Sequence, residues 1–116
     1  MNKATRACIA YIAGRAISGG DTSHVYDYSQ SRYAAFTGDI ASGGVSVFDY
    51  ERRCYCSGSL TQLYDYGNRA HIDLRIDGNR FSGYDYDSRK HFEGTVTGAN
   101  VSIYDYETSA YYNYSL

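Results

Sequence analysis

The stretch Val101-Ser102-Ile103-Tyr104-Asp105-Tyr106-Glu107-Thr108-Ser109-Ala110-Tyr111-Tyr112-Asn113-Tyr114 holds the pattern on which this chain is built. Two runs of alternating residues flank a Tyr-Asp-Tyr phrase and a short polar loop. The phrase returns as Val25-Tyr26-Asp27-Tyr28, Val47-Phe48-Asp49-Tyr50, Leu63-Tyr64-Asp65-Tyr66 and Gly83-Tyr84-Asp85-Tyr86. Successive aspartates lie 22, 16, 20 and 20 residues apart. A fixed period of this kind is the mark of a repeat architecture.

Aligning the copies on Asp exposes a period of two. Four and two residues before it stand Val101 and Ile103, Val45 and Val47, and Phe81 and Gly83. Seven after it come Tyr112, Phe92, Ile72 and Cys56. The opposite parity carries Tyr or Phe on either side of the Asp. It continues six residues on with Tyr33, Tyr55, His71, His91 and Tyr111, then turns polar at Ser57, Asp73, Glu93 and Asn113. Such alternation predicts strands with one aliphatic and one tyrosine-rich face. Gly-centred turns (Ser42-Gly43-Gly44, Asp77-Gly78-Asn79, Gly98-Ala99-Asn100) alternate with polar loops such as Asp87-Ser88-Arg89-Lys90. Residues 9–19 read as the second half of a further unit, with Tyr11 in the ring slot, and no helix of useful length is expected.

The chain therefore reads as one all-β repeat domain over residues 1–116, of about five two-strand units. Two architectures fit. In a β-solenoid, equivalent residues stack at about 4.8 Å around a narrow interior. In an antiparallel meander or barrel they recur on every second strand, at roughly 10 Å. The few core residues per unit, with glycine at Gly58 and Gly94, favour the solenoid. A file of aspartates would repel there unless each caps a corner, and turn-capping is the role assigned to Asp27, Asp49, Asp65, Asp85 and Asp105. Tyr84-Asp85-Tyr86-Asp87 is similar to the opening of the YD repeat of Rhs-type shell proteins. The Gly-Arg pair that follows there is absent from all five copies, so the likeness reads as convergence on a hairpin period, with no function carried over.

Composition bounds the functional classes. The chain has 116 residues, 15 of them Tyr, with 12 Gly and neither Pro nor Trp. A net charge of −2, with an Asp in every tyrosine pair, speaks against a nucleic-acid partner. No apolar run reaches the roughly 18 residues of a membrane span, and Ala7 to Ala13 is short for a signal peptide. Three cysteines, with Cys54 and Cys56 two apart on one strand face, speak against a disulfide scaffold. The expected compartment is the cytoplasm.

No catalytic constellation, cofactor motif or metal-ligand set is visible. His71 and His91 share a slot in adjacent units but read as replacements for tyrosine rings. A carbohydrate-active enzyme is the minor enzymatic alternative. The expected function is non-enzymatic self-assembly through unprotected strand edges, above all the side-chain-uncharged strand Tyr111 to Leu116. The alternative is a lectin-like module. Its ligand face, equally the candidate assembly face, comprises Tyr26, Tyr28, Phe48, Tyr50, Tyr64, Tyr66, Tyr84, Tyr86, Tyr104 and Tyr106.

Overall fold

A computed structural model describes residues 1–116. One helix, α1 (Lys3–Ser18), precedes ten strands: β1 (His24–Asp27), β2 (Arg32–Ala41), β3 (Gly44–Asp49), β4 (Cys54–Gly58), β5 (Gln62–Asp65), β6 (Ala70–Asp77), β7 (Arg80–Asp85), β8 (Lys90–Thr97), β9 (Asn100–Asp105) and β10 (Ala110–Ser115). Each strand pairs antiparallel with its sequence neighbours, and β1 pairs with β10, so the sheet closes into a barrel.

The fold is all-β as expected, but it is not a solenoid. Loops of two to four residues join all ten strands, and such short connections allow only antiparallel neighbours. Equivalent aspartates consequently sit on alternate strands. The 16-residue spacing between Asp49 and Asp65 is absorbed by short strands, β4 and β5. At the opposite end from the aspartates, Gly78 and Gly98 open two-residue loops with φ of 62° and 60°, as tight hairpin turns demand. In the loops that follow each aspartate, the fourth residue on is left-handed although none is glycine: Ser31, Arg53, Arg69, Arg89 and Ser109 have φ between 52° and 59°.

The sparse core that suggested a narrow solenoid has a different cause. A ten-stranded barrel encloses more space than its wall side chains fill, and α1 occupies it. From Thr5 to Gly14 every helix residue is buried. The helix follows from alanines at Ala4, Ala7, Ala10, Ala13 and Ala16, the best helix formers, whose small side chains also keep the cylinder thin. Asn2 caps its start, accepting the Thr5 N–H at 2.8 Å, and Gly19 ends it with φ 76°. Residues 9–19 are thus mostly helix, and Tyr11 stacks on Phe36 at 4.9 Å inside the barrel.

The wall fills what remains. Phe81 pairs across strands with Gly94, and Phe92 with Gly83, so each ring lies over a glycine. A Cβ on Gly94 would stand 2.4 Å from Phe81 Cζ, and one on Gly83 would stand 2.5 Å from Phe92 Cζ. The absent side chains at these positions make room for phenylalanine rather than narrowing the interior.

Candidate functional site

The five aspartates face inward with the aliphatic residues and form a buried ring at the barrel end where α1 begins. Each is at most 2% exposed. Each also accepts the backbone N–H two residues on: Ser29 to Asp27 at 2.9 Å, Glu51 to Asp49 at 3.0 Å, Gly67 to Asp65 at 2.9 Å, Asp87 to Asp85 at 3.1 Å and Glu107 to Asp105 at 3.0 Å.

Three features offset the mutual repulsion of these carboxylates. Placement on alternate strands spaces neighbours by roughly 10 Å. The positive end of the α1 dipole lies among them. Cations and neutral donors supply the remainder: the Met1 ammonium lies 3.2 Å from Asp105, Arg6 donates to Asp105 at 3.1 Å, Arg52 to Asp49 at 2.7 Å and to Asp65 at 3.0 Å, Thr5 Oγ1 to Asp65 at 3.0 Å, and the Ser29 hydroxyl and Gln30 amide to Asp27 at 2.6 Å each. The ring ties the plug to the wall. Asp85 has no cation within ion-pair distance, and burial pushes its carboxyl up, partly opposed by the Asp87 N–H and the Ser88 hydroxyl.

The rings lie on the other face. Tyr26, Phe48, Tyr64, Tyr84 and Tyr104 are half-buried centres, each meeting two neighbours edge to face. One neighbour is the tyrosine two residues on: Tyr28, Tyr50, Tyr66, Tyr86 or Tyr106, with centroids 4.7 to 5.2 Å away. The other comes from the next strand: Tyr33, Tyr55, His71, His91 or Tyr111, at 4.8 to 5.0 Å. Five three-ring clusters therefore girdle the outside of the barrel near the aspartate end. Each edge-to-face contact contributes about 0.5–1.5 kcal/mol beyond burial. The outer ring of each pair remains open to solvent, from 46% for Tyr106 to 58% for Tyr28.

Carboxylates orient two of these outer rings. Tyr86 Oη donates to Asp73 at 2.9 Å, and Tyr106 Oη to Glu93 at 2.8 Å. Gln62 and Tyr86 together hold the Asp73 carboxyl below the usual carboxylate range, while both phenols are raised by their partners. Such a cluster presents a π-face beside hydrogen-bonding groups whose directions are set.

The ten aromatic candidates are thus brought together in pairs, and the third ring of each cluster joins them from a slot that shares their parity. His71 and His91 lie on β6 and β8 with β7 between, each edge-on to its own tyrosine. No group of three or more His, Cys, Asp or Glu side chains is arranged to hold a metal ion. Cys8 of α1 and Cys56 of β4 are buried free thiols that meet between plug and wall, and Cys54 is a third, half-buried one. The stretch Tyr111 to Leu116, expected as an open edge, lies in β10 up to Ser115, and β10 pairs with both β9 and β1. No helix is long and apolar enough to cross a membrane. No protein-family model, curated protein or solved structure matches the chain.

Proposed function

We propose that the protein is a non-enzymatic binding module that recognises carbohydrate through its outer aromatic girdle. The observation that carries this reading is the fivefold presentation of solvent-open tyrosine rings, each propped edge-on by a half-buried neighbour. A pyranose offers a patch of C–H groups that stacks on such a ring, with hydroxyls around its rim. Phenol hydroxyls and the carboxylates of Asp73 and Glu93 are placed to meet those hydroxyls. Holding each ring before the ligand arrives reduces the ordering cost of binding. Five quasi-equivalent clusters, weak one by one, gain avidity on a polyvalent glycan by about 10²–10⁴-fold where the spacing permits. The three free thiols suit a reducing compartment such as the cytoplasm.

A glycan array tests this directly. The protein should retain a defined set of glycans, and replacing Tyr28, Tyr50, Tyr66, Tyr86 and Tyr106 by Ser one after another should reduce retention stepwise. Each replacement gives up one edge-to-face contact, about 0.5–1.5 kcal/mol beyond burial, so the five single variants should each keep the barrel, which circular dichroism verifies before retention is compared. An array with no retained glycan, or retention indifferent to all five changes, would overturn the reading. Self-association, the other reading, now rests on these same rings, since every strand has two partners. Light scattering across a concentration series reads it independently.

A further inference from the structure

The five units are not identical on their outer face, and two of the departures share one groove. Ten residues after the repeat aspartate, four units carry Thr37, Ser59, Thr95 and Ser115; the third carries Arg75. Five residues before it, four units carry Thr22, Gly44, Leu60 and Asn100; the fourth carries Arg80. Both arginines line a groove of about 420 Å³ that runs across the outside of the barrel from β6 to β10. Neither makes an ion pair, and the same repeat positions in the other units carry no charge.

The rest of the groove is built for a flat polar ligand. Its floor carries the small side chains of Ser82 and Ser102. Its far wall is Tyr104 and Tyr111, the fifth cluster of the girdle, so groove and girdle are continuous. Glu93 stands between the two ends as a hydrogen-bond acceptor, already oriented by Tyr106. Asp77 flanks the arginine end and is the second acidic residue lining the groove. The order along the groove is guanidinium, hydroxyl floor, carboxylate, aromatic wall.

We infer that this groove binds a carboxylate-bearing saccharide, its acid group on Arg75 and Arg80 and a neighbouring ring on Tyr104 and Tyr111. The inference rests on the carbohydrate reading and adds a charge preference to one of its five faces. Arginine forks match carboxylate oxygens in geometry as well as charge. Glu93 is left to accept sugar hydroxyls, which a uronate ring supplies. The remaining four faces, with no guanidinium at these positions, have no such preference.

The test compares tetragalacturonate with its methyl ester, which has the same rings without the charge, by isothermal titration calorimetry. The acid should bind at least about tenfold more tightly than the ester, as one charge-assisted hydrogen-bond pair implies. The preference should shrink as salt is raised, and should vanish in Arg75→Gln/Arg80→Gln while ester binding persists. Both positions are exposed, so the variant should fold, which circular dichroism verifies. Equal binding of acid and ester would overturn the inference and leave the carbohydrate reading standing. Binding of neither would overturn the inference too, and the glycan array then decides the broader reading separately. A preference for the acid that survives the double substitution would place the anion elsewhere and also refute it.

Discussion

Replacing Tyr11 separates a plugged barrel from any fold in which residues 9–19 are a strand with an outward ring. Tyr11 is 1% exposed, stacks on Phe36 at 4.9 Å and donates to the Thr22 carbonyl at 2.7 Å, while Arg15 donates to its hydroxyl at 2.8 Å. Tyr11→Phe removes only the hydroxyl and should cost about 1 kcal/mol, the net worth of a hydrogen bond. Tyr11→Ala also removes the ring from a site closed on all sides, and large aromatic truncations of that kind cost about 3–5 kcal/mol. A domain of this size has about 10 kcal/mol of stability to draw on, so the Ala variant should remain folded but lose close to half of it. Its melting temperature should fall by about 15 °C, at roughly 4 °C per kcal/mol. Urea unfolding followed by far-UV circular dichroism measures both variants. A loss below about 1 kcal/mol for Tyr11→Ala, against the several expected of a buried ring, would refute the internal helix.

Three further outcomes follow from the same geometry. Gly94→Ala should destabilise by about 1–3 kcal/mol through overpacking, because its Cβ would lie 2.3 Å from the Ser102 carbonyl oxygen and 2.4 Å from Phe81 Cζ; Gly43→Ala, with nothing within 4 Å, is the control in the same thermal melt. The raised Asp85 carboxyl means that the native state holds a proton more readily than the unfolded chain. Its contribution to stability therefore falls as pH rises from the unfolded carboxylate value through the higher folded one. Asp85→Asn should accordingly be neutral or stabilising at pH 7 and flatten that slope, whereas Asp65→Asn, which loosens Arg52 and Thr5, should cost about 3 kcal/mol in chemical denaturation. Cys8 and Cys56 are closed to solvent, and the Cys8 thiol is raised by the neighbouring Cys56 and then by its burial, so a thiol reagent should titrate at most Cys54 in native protein and all three cysteines after unfolding.

The alternation around each aspartate carried the strands and their two faces, because a residue's parity alone decides whether it points to the core or to water. Closure was not legible. Val25 to Tyr28 and Tyr111 to Leu116 carry nothing that says they pair with each other, and a short loop such as Gly98-Ala99 fits an open meander as well as a barrel. The helix was missed for a physical reason. Buried all round, it has no polar face to give a 3.6-residue rhythm, and Ile9 and Tyr11 imitate a strand's alternation. Its alanines were the available signal. The aromatic slot at Tyr33, Tyr55, His71, His91 and Tyr111 could be read from parity, but that these rings close clusters with the Tyr-Asp-Tyr pairs depends on the β1–β2 type of register. Arg75 and Arg80 were visible as departures from the repeat. That they share a groove is a matter of three-dimensional register alone.

The most direct test of the central claim, that exposed tyrosine rings are a platform for sugar, is saturation-transfer difference NMR. Irradiating the aromatic protons of the native protein in a mixture of neutral and acidic oligosaccharides should pass saturation to ring C–H protons of bound sugar. The transfer should weaken progressively as the five outer tyrosines are replaced by serine. A spectrum with no transfer to any saccharide, from a protein whose barrel is intact by circular dichroism, would contradict the account.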